Sequence, residues 1–468
     1  MADESLDRER GITRRDLGGL AVGAGVLAGL GVSAAPAAAA PAARRPNFLF
    51  ILTDDLGWAD LSCYGAPDYR TPEIDALARD GLSFTDAYAG SCVCSPTRIS
   101  LYTGRYPGRL RGGLYEPIAA PTADAGLPPD HPTLASLLSA AGYETAMFGK
   151  WNGGYLPWFG PVKSGWAEFF GNYGPALDYF SHRGYAGDGP DLYEGEKAAD
   201  RPGYYTDLLT DRAVEFIRRD HAKPWLLNLH FNAPHWPWEG PGDQAESDRL
   251  MAEVDAGKKT LSQALNHTDG GSVHVYQQML TSIDRSVGRV LSALRRTGQE
   301  RDTVVVFTSD NGGERFSYLW PLRDRKGTLY EGGIRVPAIV RWPGVVAAGR
   351  RSDVPVCTPD WTATFVDLAG AHADAKHPFD GVSLAPYLRG GAAPAERDLF
   401  WRTRDQGAIR RGRWKFVRTK GADGTTDELY DLAADPSEQA DLAARRPGVL
   451  AGLRDSWERT DAELVPYT

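Results

Sequence analysis

The chain has 468 residues, of which 42% are hydrophobic and 24% are charged, and its formal net charge is −9. This composition is typical of a globular protein with a large core, and it excludes a disordered or fibrous chain. The acidic balance argues against nucleic acid as a partner, so an anionic ligand would need a local basic pocket.

The N-terminus is predicted to be an export signal over residues 1–43. Residues 13–17 (TRRDL) form a twin-arginine pattern, and an apolar stretch follows from residue 17 to about residue 32. Small residues at 34–43 then offer cleavage sites, and the apolar stretch is short and glycine-rich for a membrane span. We therefore expect a protein that folds in the cytoplasm, is exported, and keeps no stable membrane anchor.

Residues 44–390 are predicted to form a large α/β domain. Continuous apolar runs, which suit strands buried on both faces of a parallel sheet, lie at residues 47–53, 144–150, 225–230 and 303–308. Helical patterns lie between them, at residues 132–141, 205–219 and 276–296. This alternation predicts a large mixed, mostly parallel sheet with helices on both faces.

From residue 391 to residue 468 the pattern changes. Short strand-like segments with turns lie at residues 398–403, 407–410, 413–419 and 428–432, and a closing helix is expected at about 447–464. These segments predict a small C-terminal subdomain with an antiparallel sheet and one helix.

Two pairs of polar residues follow predicted strands. Asp54 and Asp55 follow the first strand, and Asp310 and Asn311 follow the fourth. Ligands of open α/β sheets bind at the carboxyl ends of the strands. Adjacent carboxylates repel each other unless a cation lies between them, and hard oxygen ligands suit Ca²⁺ or Mg²⁺ rather than zinc. Helix capping or a solvated turn would explain either pair alone.

The segment around Cys94 is the most specific motif in the chain. Residues 91–98 read SCVCSPTR and residues 101–105 read LYTGR. A Cys-x-Pro-x-Arg pattern followed by Thr-Gly-Arg resembles the signature of the type I, formylglycine-dependent sulfatases of the alkaline phosphatase superfamily. Taken from its residues alone, the segment is also compatible with a helix start that carries a buried or disulfide-bonded cysteine.

The resemblance implies that a formylglycine-generating enzyme oxidises Cys94 to an aldehyde before folding. One hydroxyl of the hydrated aldehyde would attack sulfur, and the other would later expel sulfate and restore the aldehyde. The metal would contact this hydrated group and a sulfate oxygen. Of the four cysteines (Cys63, Cys92, Cys94 and Cys357) three would then remain, so at most one disulfide is expected.

The resemblance also implies a set of cationic site residues. They are Arg98, Lys150 in FGKW, His235 in APHWPW, and Lys326 in RKGTLYEGGIRVP. Arg98 would stabilise the hydrated aldehyde, and the other three would bind the sulfate group. Loss of the alcohol from a sulfate ester needs distributed positive charge and a proton donor. Taken singly, each could be a solvated cation or a structural histidine.

One position departs from the family pattern. The family usually reads Gly-Lys-Trp-His where residues 149–152 read GKWN. That histidine normally helps to deprotonate the hydrated aldehyde, and asparagine cannot take up a proton. We therefore expect Asn152 to line the substrate pocket, with His182 in DYFSHRGY as a surrogate base or a second pocket residue. An ordinary loop histidine is the alternative for His182.

The resemblance covers residues 46 to about 442 and implies a sulfuric ester hydrolase of the arylsulfatase type. Its substrate would be a small-molecule or carbohydrate sulfate ester, hydrolysed to an alcohol and inorganic sulfate. Several tryptophans could stack on sugar rings and so favour a sulfated carbohydrate over an aryl sulfate: Trp151, Trp158, Trp166, Trp236 and Trp238. The alternative is that these tryptophans only pack in the core and loops. The alternatives are a phosphonate or phosphodiester hydrolase of the same superfamily, and a catalytically impaired homologue that binds carbohydrate.

Overall fold

The apolar run at residues 47–53 forms a central strand of a ten-stranded sheet. The computed structural model describes residues 45–185 and 189–467, so the predicted export signal lies outside the described residues. The strands are β1 (Asn47–Thr53), β2 (Leu82–Phe84), β3 (Ala87–Tyr88), β4 (Glu144–Gly149), β5 (Glu168–Gly171), β6 (Tyr193–Glu194), β7 (Lys197–Ala198), β8 (Trp225–His230), β9 (Thr303–Ser309), β10 (Ala338–Arg341), β11 (Arg350–Ser352), β12 (Val356–Cys357), β13 (Asp398–Arg402), β14 (Gln406–Arg411), β15 (Trp414–Gly421) and β16 (Gly424–Asp431).

The order in the large sheet is β11-β2-β10-β9-β1-β8-β4-β5-β6-β7. β1 pairs in parallel with both β8 and β9, and β4 pairs in parallel with β8 and β5. Antiparallel pairs occur where β10 joins β2 and β9, and along β5, β6 and β7. The predicted mixed, mostly parallel sheet is confirmed.

Helices cover both faces of this sheet. The α-helices of the described residues are α1 (Pro72–Arg79), α2 (Cys94–Thr103), α3 (Leu134–Ala140), α4 (Tyr205–Arg218), α5 (Gln244–Asp255), α6 (Leu261–Asn266), α7 (Val273–Arg296), α8 (Glu331–Ile334), α9 (Thr358–Leu368), α10 (Ala385–Leu388) and α11 (Pro447–Asp461). α7 begins three residues before the predicted start at 276 because the Ser272 hydroxyl accepts from the Val275 amide at 3.2 Å.

The side chains of β1 show why its sequence is apolar throughout. Leu49 and Ile51 point to one face, into the core formed with α1, α4 and α7. Phe48 and Phe50 point to the other face, into the core formed with α2, α3 and α9. Alternate residues of a strand face opposite sides, so burial on both sides removes any polar alternation.

The C-terminal strands β13 to β16 form a four-stranded antiparallel sheet, as predicted. One face packs against α11 through Phe400, Phe416 and Trp457. The other face, with Trp401 and Val417, packs against residues of the large domain. The described residues from 45 onward group into one compact unit, and the boundary at residue 391 stays a prediction.

All four cysteines are free thiols. Among the described residues, we find no helix long and apolar enough to cross a lipid bilayer.

Candidate active site

The two polar pairs lie side by side at the carboxyl edge of the large sheet. Thr53 of β1 is opposite Ser309 of β9, so the residues that follow leave the sheet together. The Asp55 amide donates to Asp310 Oδ1 at 3.3 Å, and Asn311 Nδ2 donates to Asp55 Oδ1 at 2.7 Å. Asp55 has a φ of 65°, in the left-handed region that favours glycine. Such conformations persist only where surrounding contacts hold them, and they cluster at functional sites.

This group of oxygens fits a hard divalent cation. Asp54, Asp55 and His235 each offer one ligand atom, and these atoms lie within 4.8 Å of one another. Asp54 Oδ1 and Asn311 Oδ1 are buried and have no hydrogen-bond partner. An unsatisfied buried polar atom costs about 1–3 kcal/mol. Ca²⁺ or Mg²⁺ would satisfy both atoms, because these ions prefer carboxylate and amide oxygens.

Cys94 is the first residue of α2, and its side chain is buried beside this group of acids. Burial raises the pKa of the Cys94 thiol, although the nearby Lys150 acts against the rise. The thiolate, not the thiol, is the nucleophile of a cysteine. An unmodified Cys94 is therefore poorly suited to attack a substrate.

Arg98 lies one turn further along α2 and is fully buried. Its Nε and Nη2 donate to Asp310 Oδ2 at 3.0 and 2.8 Å, and its Nη1 donates to the Lys150 carbonyl at 3.0 Å. Arg98 therefore joins α2 to the residues that follow β9 and β4, and it fixes the start of α2 against the acids.

Two lysines each pair with one of the adjacent aspartates. Lys150 follows β4, is fully buried, and donates to Asp54 Oδ2. Lys326 donates to Asp55 Oδ2 at 2.7 Å, and its Nζ lies 4.3 Å from the centre of the Trp236 ring. The structure therefore brings both predicted lysines to this group of acids, on two separate segments of the chain.

His235 lies on the loop after β8, and its Nε2 is 3.8 Å from Asp55 Oδ2. Its Nδ1 is 2.7 Å from the Trp236 carbonyl, which accepts the ring proton. Burial and the charge of Lys326 hold the pKa of His235 well below its usual value. The imidazole is therefore neutral near pH 7, and the lone pair of Nε2 faces the acids.

Burial also governs the acidity of the carboxyl groups. Burial and the neighbouring Asp54 raise the pKa of Asp310 to about 7. Burial raises the pKa of Asp55, with Lys326 acting against it. For Asp54 the effect of burial is outweighed by nearby cations, Lys150 first among them, and the pKa is lowered. A divalent cation at this position would favour the charged form of all three carboxylates.

Asn152 lies next to this group, but its amide is already bonded at both ends. Its side chain is fully buried and its φ is 46°. Ser95 Oγ donates to Asn152 Oδ1 at 2.6 Å, and Asn152 Nδ2 donates to the Ile118 carbonyl at 3.1 Å. Ser95 Oγ accepts in turn from the Ile118 amide at 2.9 Å. These contacts give Asn152 an anchoring role for the first turn of α2, and its role in substrate binding stays a prediction.

We expect Asn152→His to lower steady-state turnover, although it introduces the base that the family usually has here. The larger ring would have to replace both amide hydrogen bonds, and a buried partner left unsatisfied costs about 1–3 kcal/mol. Kinetics and denaturant unfolding of the variant check this. The changes in the free energy of unfolding of Ser95→Ala, of Asn152→Ala and of the double variant should be strongly non-additive. Faster turnover of Asn152→His with unchanged stability would contradict the anchoring role.

His182 has its contacts elsewhere. Its ring centre lies 5.8 Å from that of Tyr205, and its buried Nε2 has no hydrogen-bond partner. Its backbone amide donates to the Asp178 carbonyl, and its carbonyl accepts from the Asp191 amide. None of these contacts reaches Cys94, so the surrogate-base role stays a prediction that the geometry does not favour.

The tryptophans divide into core and surface residues. Trp151 and Trp166 are fully buried and pack against the Tyr102 ring, so core packing accounts for them and sugar stacking does not. Trp238 is buried as well, and Trp236 lies under Lys326. Two exposed tryptophans are Trp158 at 43% and Trp320 at 84%, and the second was not among the predicted candidates.

Sequence reasoning also missed a buried group of ion pairs and hydrogen bonds that supports the loop carrying Lys326. Lys415 of β15 is fully buried, and its Nζ lies 2.9 Å from Glu331 Oε1 and 2.8 Å from Glu438 Oε1. Glu438 Oε2 accepts from the Glu331 amide at 2.6 Å, and the Tyr88 hydroxyl donates to Glu331 Oε2 at 2.7 Å. The partners lie far apart in sequence and form no motif, so no sequence signal indicated them.

Comparisons with known proteins agree with this fold and with this group of side chains. The Sulfatase family model matches residues 46–371, and the model of the N-sulphoglucosamine sulphohydrolase C-terminal region matches residues 322–449. The chain belongs to the sulfatase family, whose members hydrolyse sulfate esters, including those of carbohydrates.

Individual relatives are similar over most of the chain. Human arylsulfatase A is 32% identical over 464 residues, covering 89% of this chain and 88% of the relative. N-acetylgalactosamine-6-sulfatase of Rattus norvegicus is 32% identical over 417 residues, covering 83% of this chain and 74% of the relative. The crystal structure of Ps i-CgsB in complex with k-i-k-neocarrahexaose has a TM-score of 0.77 and 30% identity, covering 90% of this chain and 94% of that one.

Proposed function

We propose that this chain is an exported sulfatase that hydrolyses an organic sulfate ester through a formylglycine made from Cys94 and a bound Ca²⁺ or Mg²⁺ ion. One observation carries the proposal. The unpartnered oxygens of Asp54 and Asn311 lie in a buried group of acids and cations that also holds Cys94. The twin-arginine pattern at residues 13–17 supports export.

The metal-binding residues in this proposal are Asp54, Asp55, Asp310 and Asn311. When bound, the ion would supply positive charge to a sulfate oxygen and to the hydrated aldehyde at position 94. Arg98 holds Asp310 and the start of α2 in place.

Three further residues receive the sulfate group in this proposal. Lys150 and Lys326 present their ammonium groups to it, because both lie at the acids without being part of the metal-ligand set. His235 presents the unprotonated Nε2. In this proposal Nε2 takes up the proton that the attacking hydroxyl of the hydrated aldehyde loses, and it passes that proton to the leaving alcohol.

A sulfated carbohydrate is the favoured substrate class. Two of the compared proteins carry carbohydrate names in their descriptions, a galactosamine sulfatase and a structure with a bound neocarrahexaose. Trp320 lies on the loop between Asn311 and Lys326. This loop is held over the segment that follows Asp55, because the Tyr318 carbonyl accepts from the Ala59 amide at 3.0 Å. An exposed indole at such a position suits stacking on a sugar ring.

Trp320→Ala should therefore raise KM for a sulfated hexasaccharide and leave KM for 4-nitrophenyl sulfate unchanged. Loss of one aromatic contact, worth about 0.5–1.5 kcal/mol, corresponds to an increase of roughly 2–13-fold. Trp158→Ala, at an exposed tryptophan on a different loop, is the matched control and should change neither value. Equal effects of Trp320→Ala on both substrates would refute the stacking role.

Side-by-side kinetics test the proposed reaction. The protein, produced together with a formylglycine-generating enzyme, should hydrolyse 4-nitrophenyl sulfate with a higher kcat/KM than 4-nitrophenyl phosphate or a phosphonate monoester. The reverse preference would support the phosphonate or phosphodiester hydrolase. Binding of a sulfated oligosaccharide without turnover of any ester would support the impaired carbohydrate-binding homologue.

A further inference from the structure

A groove on the helical face of the large domain carries a local excess of positive charge. It lies between α4 and α7, has a volume of about 800 Å³, and is lined by acids at three positions and by arginines at six. The arginines are Arg218, Arg219, Arg285, Arg289, Arg295 and Arg296. The chain as a whole has a formal net charge of −9, so the charge of this groove is opposite in sign to the net charge of the molecule.

Four of these arginines are unpaired. Arg219 lies 2.6 Å from Glu168, and Arg289 pairs with Asp211. The other four are exposed, and within residues 45–185 and 189–467 they form no ion pair or side-chain hydrogen bond: Arg218, Arg285, Arg295 and Arg296.

Helix ends account for only part of this charge. Arg218, Arg295 and Arg296 lie at the C-terminal ends of α4 and α7, where a positive side chain interacts favourably with the helix dipole. Arg285 lies about three turns before the end of α7, where that effect has vanished. The helix dipole therefore does not account for Arg285.

The groove and the candidate active site lie at opposite edges of the sheet. α4 and α7 end shortly before β8 and β9 begin, whereas His235 and Asp310 follow the far ends of those strands. A strand of seven residues spans roughly 23 Å. A single small sulfate ester therefore cannot occupy both sites at once.

The charged surface is elongated. A second cavity of about 310 Å³ shares Arg218 and Arg219 with the groove, and it adds Lys223 together with the acids Asp220 and Asp302. Several separated guanidinium groups along such a surface suit anionic groups that repeat along a chain, and guanidinium binds sulfate or phosphate oxygens in pairs.

We propose that this arginine groove binds a sulfated polysaccharide chain, an inference that rests on the proposed function. The argument for this occupant is charge complementarity, together with an active site whose own substrate is a sulfate ester. A polymer held in the groove would raise the effective concentration of its sulfate esters around the same molecule.

Binding of fluorescently labelled dextran sulfate to the full chain tests the proposal. Arg285→Gln combined with Arg296→Gln should weaken the Kd at least about tenfold, because the variant removes two guanidinium groups that would bind sulfate oxygens. The kcat/KM for 4-nitrophenyl sulfate should not change in this variant. Arg351→Gln combined with Arg445→Gln removes two exposed arginines outside the groove that have no ion pair among the described residues, and it should leave the Kd unchanged.

Three results would overturn the proposal: an unchanged Kd in the groove variant, equal binding of unsulfated dextran, or tighter binding of duplex DNA at equal charge. Binding is measured without turnover, so the proposed binding groove and the proposed sulfatase function can each be contradicted without the other. A chain that binds dextran sulfate through Arg285 and Arg296 but hydrolyses no sulfate ester would contradict the proposed function alone.

Discussion

Cys94→Ala should abolish hydrolysis of 4-nitrophenyl sulfate and leave the fold intact. Loss of the nucleophile from a covalent mechanism lowers turnover by roughly 10⁴–10⁶-fold. The fold should survive because Cys94 is the first residue of α2 and alanine has the highest helix propensity. Steady-state kinetics and denaturant unfolding measure the two effects.

Peptide mass spectrometry across residues 91–98 provides the chemical test. The wild-type peptide should carry an aldehyde at position 94 when a formylglycine-generating enzyme is present, and a thiol when it is absent. Cys63→Ala is the matched control, since it removes a thiol outside the motif and should retain both the aldehyde and the rate. A fully active protein with an unmodified Cys94 would refute the proposed nucleophile.

Asp310→Ala should remove activity and also lower the free energy of unfolding by about 3–5 kcal/mol. The stability loss arises because Arg98 is fully buried and donates twice to Asp310 Oδ2, so the variant leaves a buried charge without its main partner. The activity loss arises because an oxygen of the metal-binding group is removed. Denaturant unfolding and elemental analysis measure the two effects.

The metal content of the wild-type protein and of a second variant provides the control for Asp310→Ala. The wild-type protein should bind one divalent ion per chain, and EDTA should lower its stability because the ion binds only the folded state. Lys326→Ala removes a charge from the same buried group without removing a ligand oxygen. It should keep the ion and lose about 10²–10³-fold in rate. Two ions per chain would instead favour the phosphoryl-transfer alternative, and no ion would contradict the metal site.

The central strands could be predicted because burial on both faces produces an uninterrupted apolar run. β8 spans residues 225–230 as predicted, and β9 extends one residue beyond the predicted 303–308. Strands such as β2 and β3 have only three and two residues, and neighbouring strands hold them in place. Segments this short carry no periodicity that separates them from turns.

The site could be predicted where topology decides the geometry. Parallel strands bring their carboxyl ends to one edge, so Asp55 and Asp310 were expected to meet. Topology does not decide which way a loop side chain points. The sequence GKWN is compatible with an Asn152 that faces a substrate and with one bonded to Ser95, and only the packed structure distinguishes them. The same holds for Trp151, which lies in the core.

The buried contact between Lys415 and Glu331 has a consequence for how related sequences should be compared. The match to the Sulfatase model ends at residue 371, beyond Lys326 and before Lys415. A homologue cut short at that point would keep every residue of the proposed chemistry, and it would keep the contact of Glu331 with Arg335 at 3.3 Å but lose the contact with Lys415 at 2.9 Å. Glu331 follows Lys326 by five residues, so the missing C-terminal strand would remove a buried partner beside the loop that carries Lys326. An intact set of motif residues is therefore a poor criterion for a working enzyme in this family unless the strand that carries the lysine is also present.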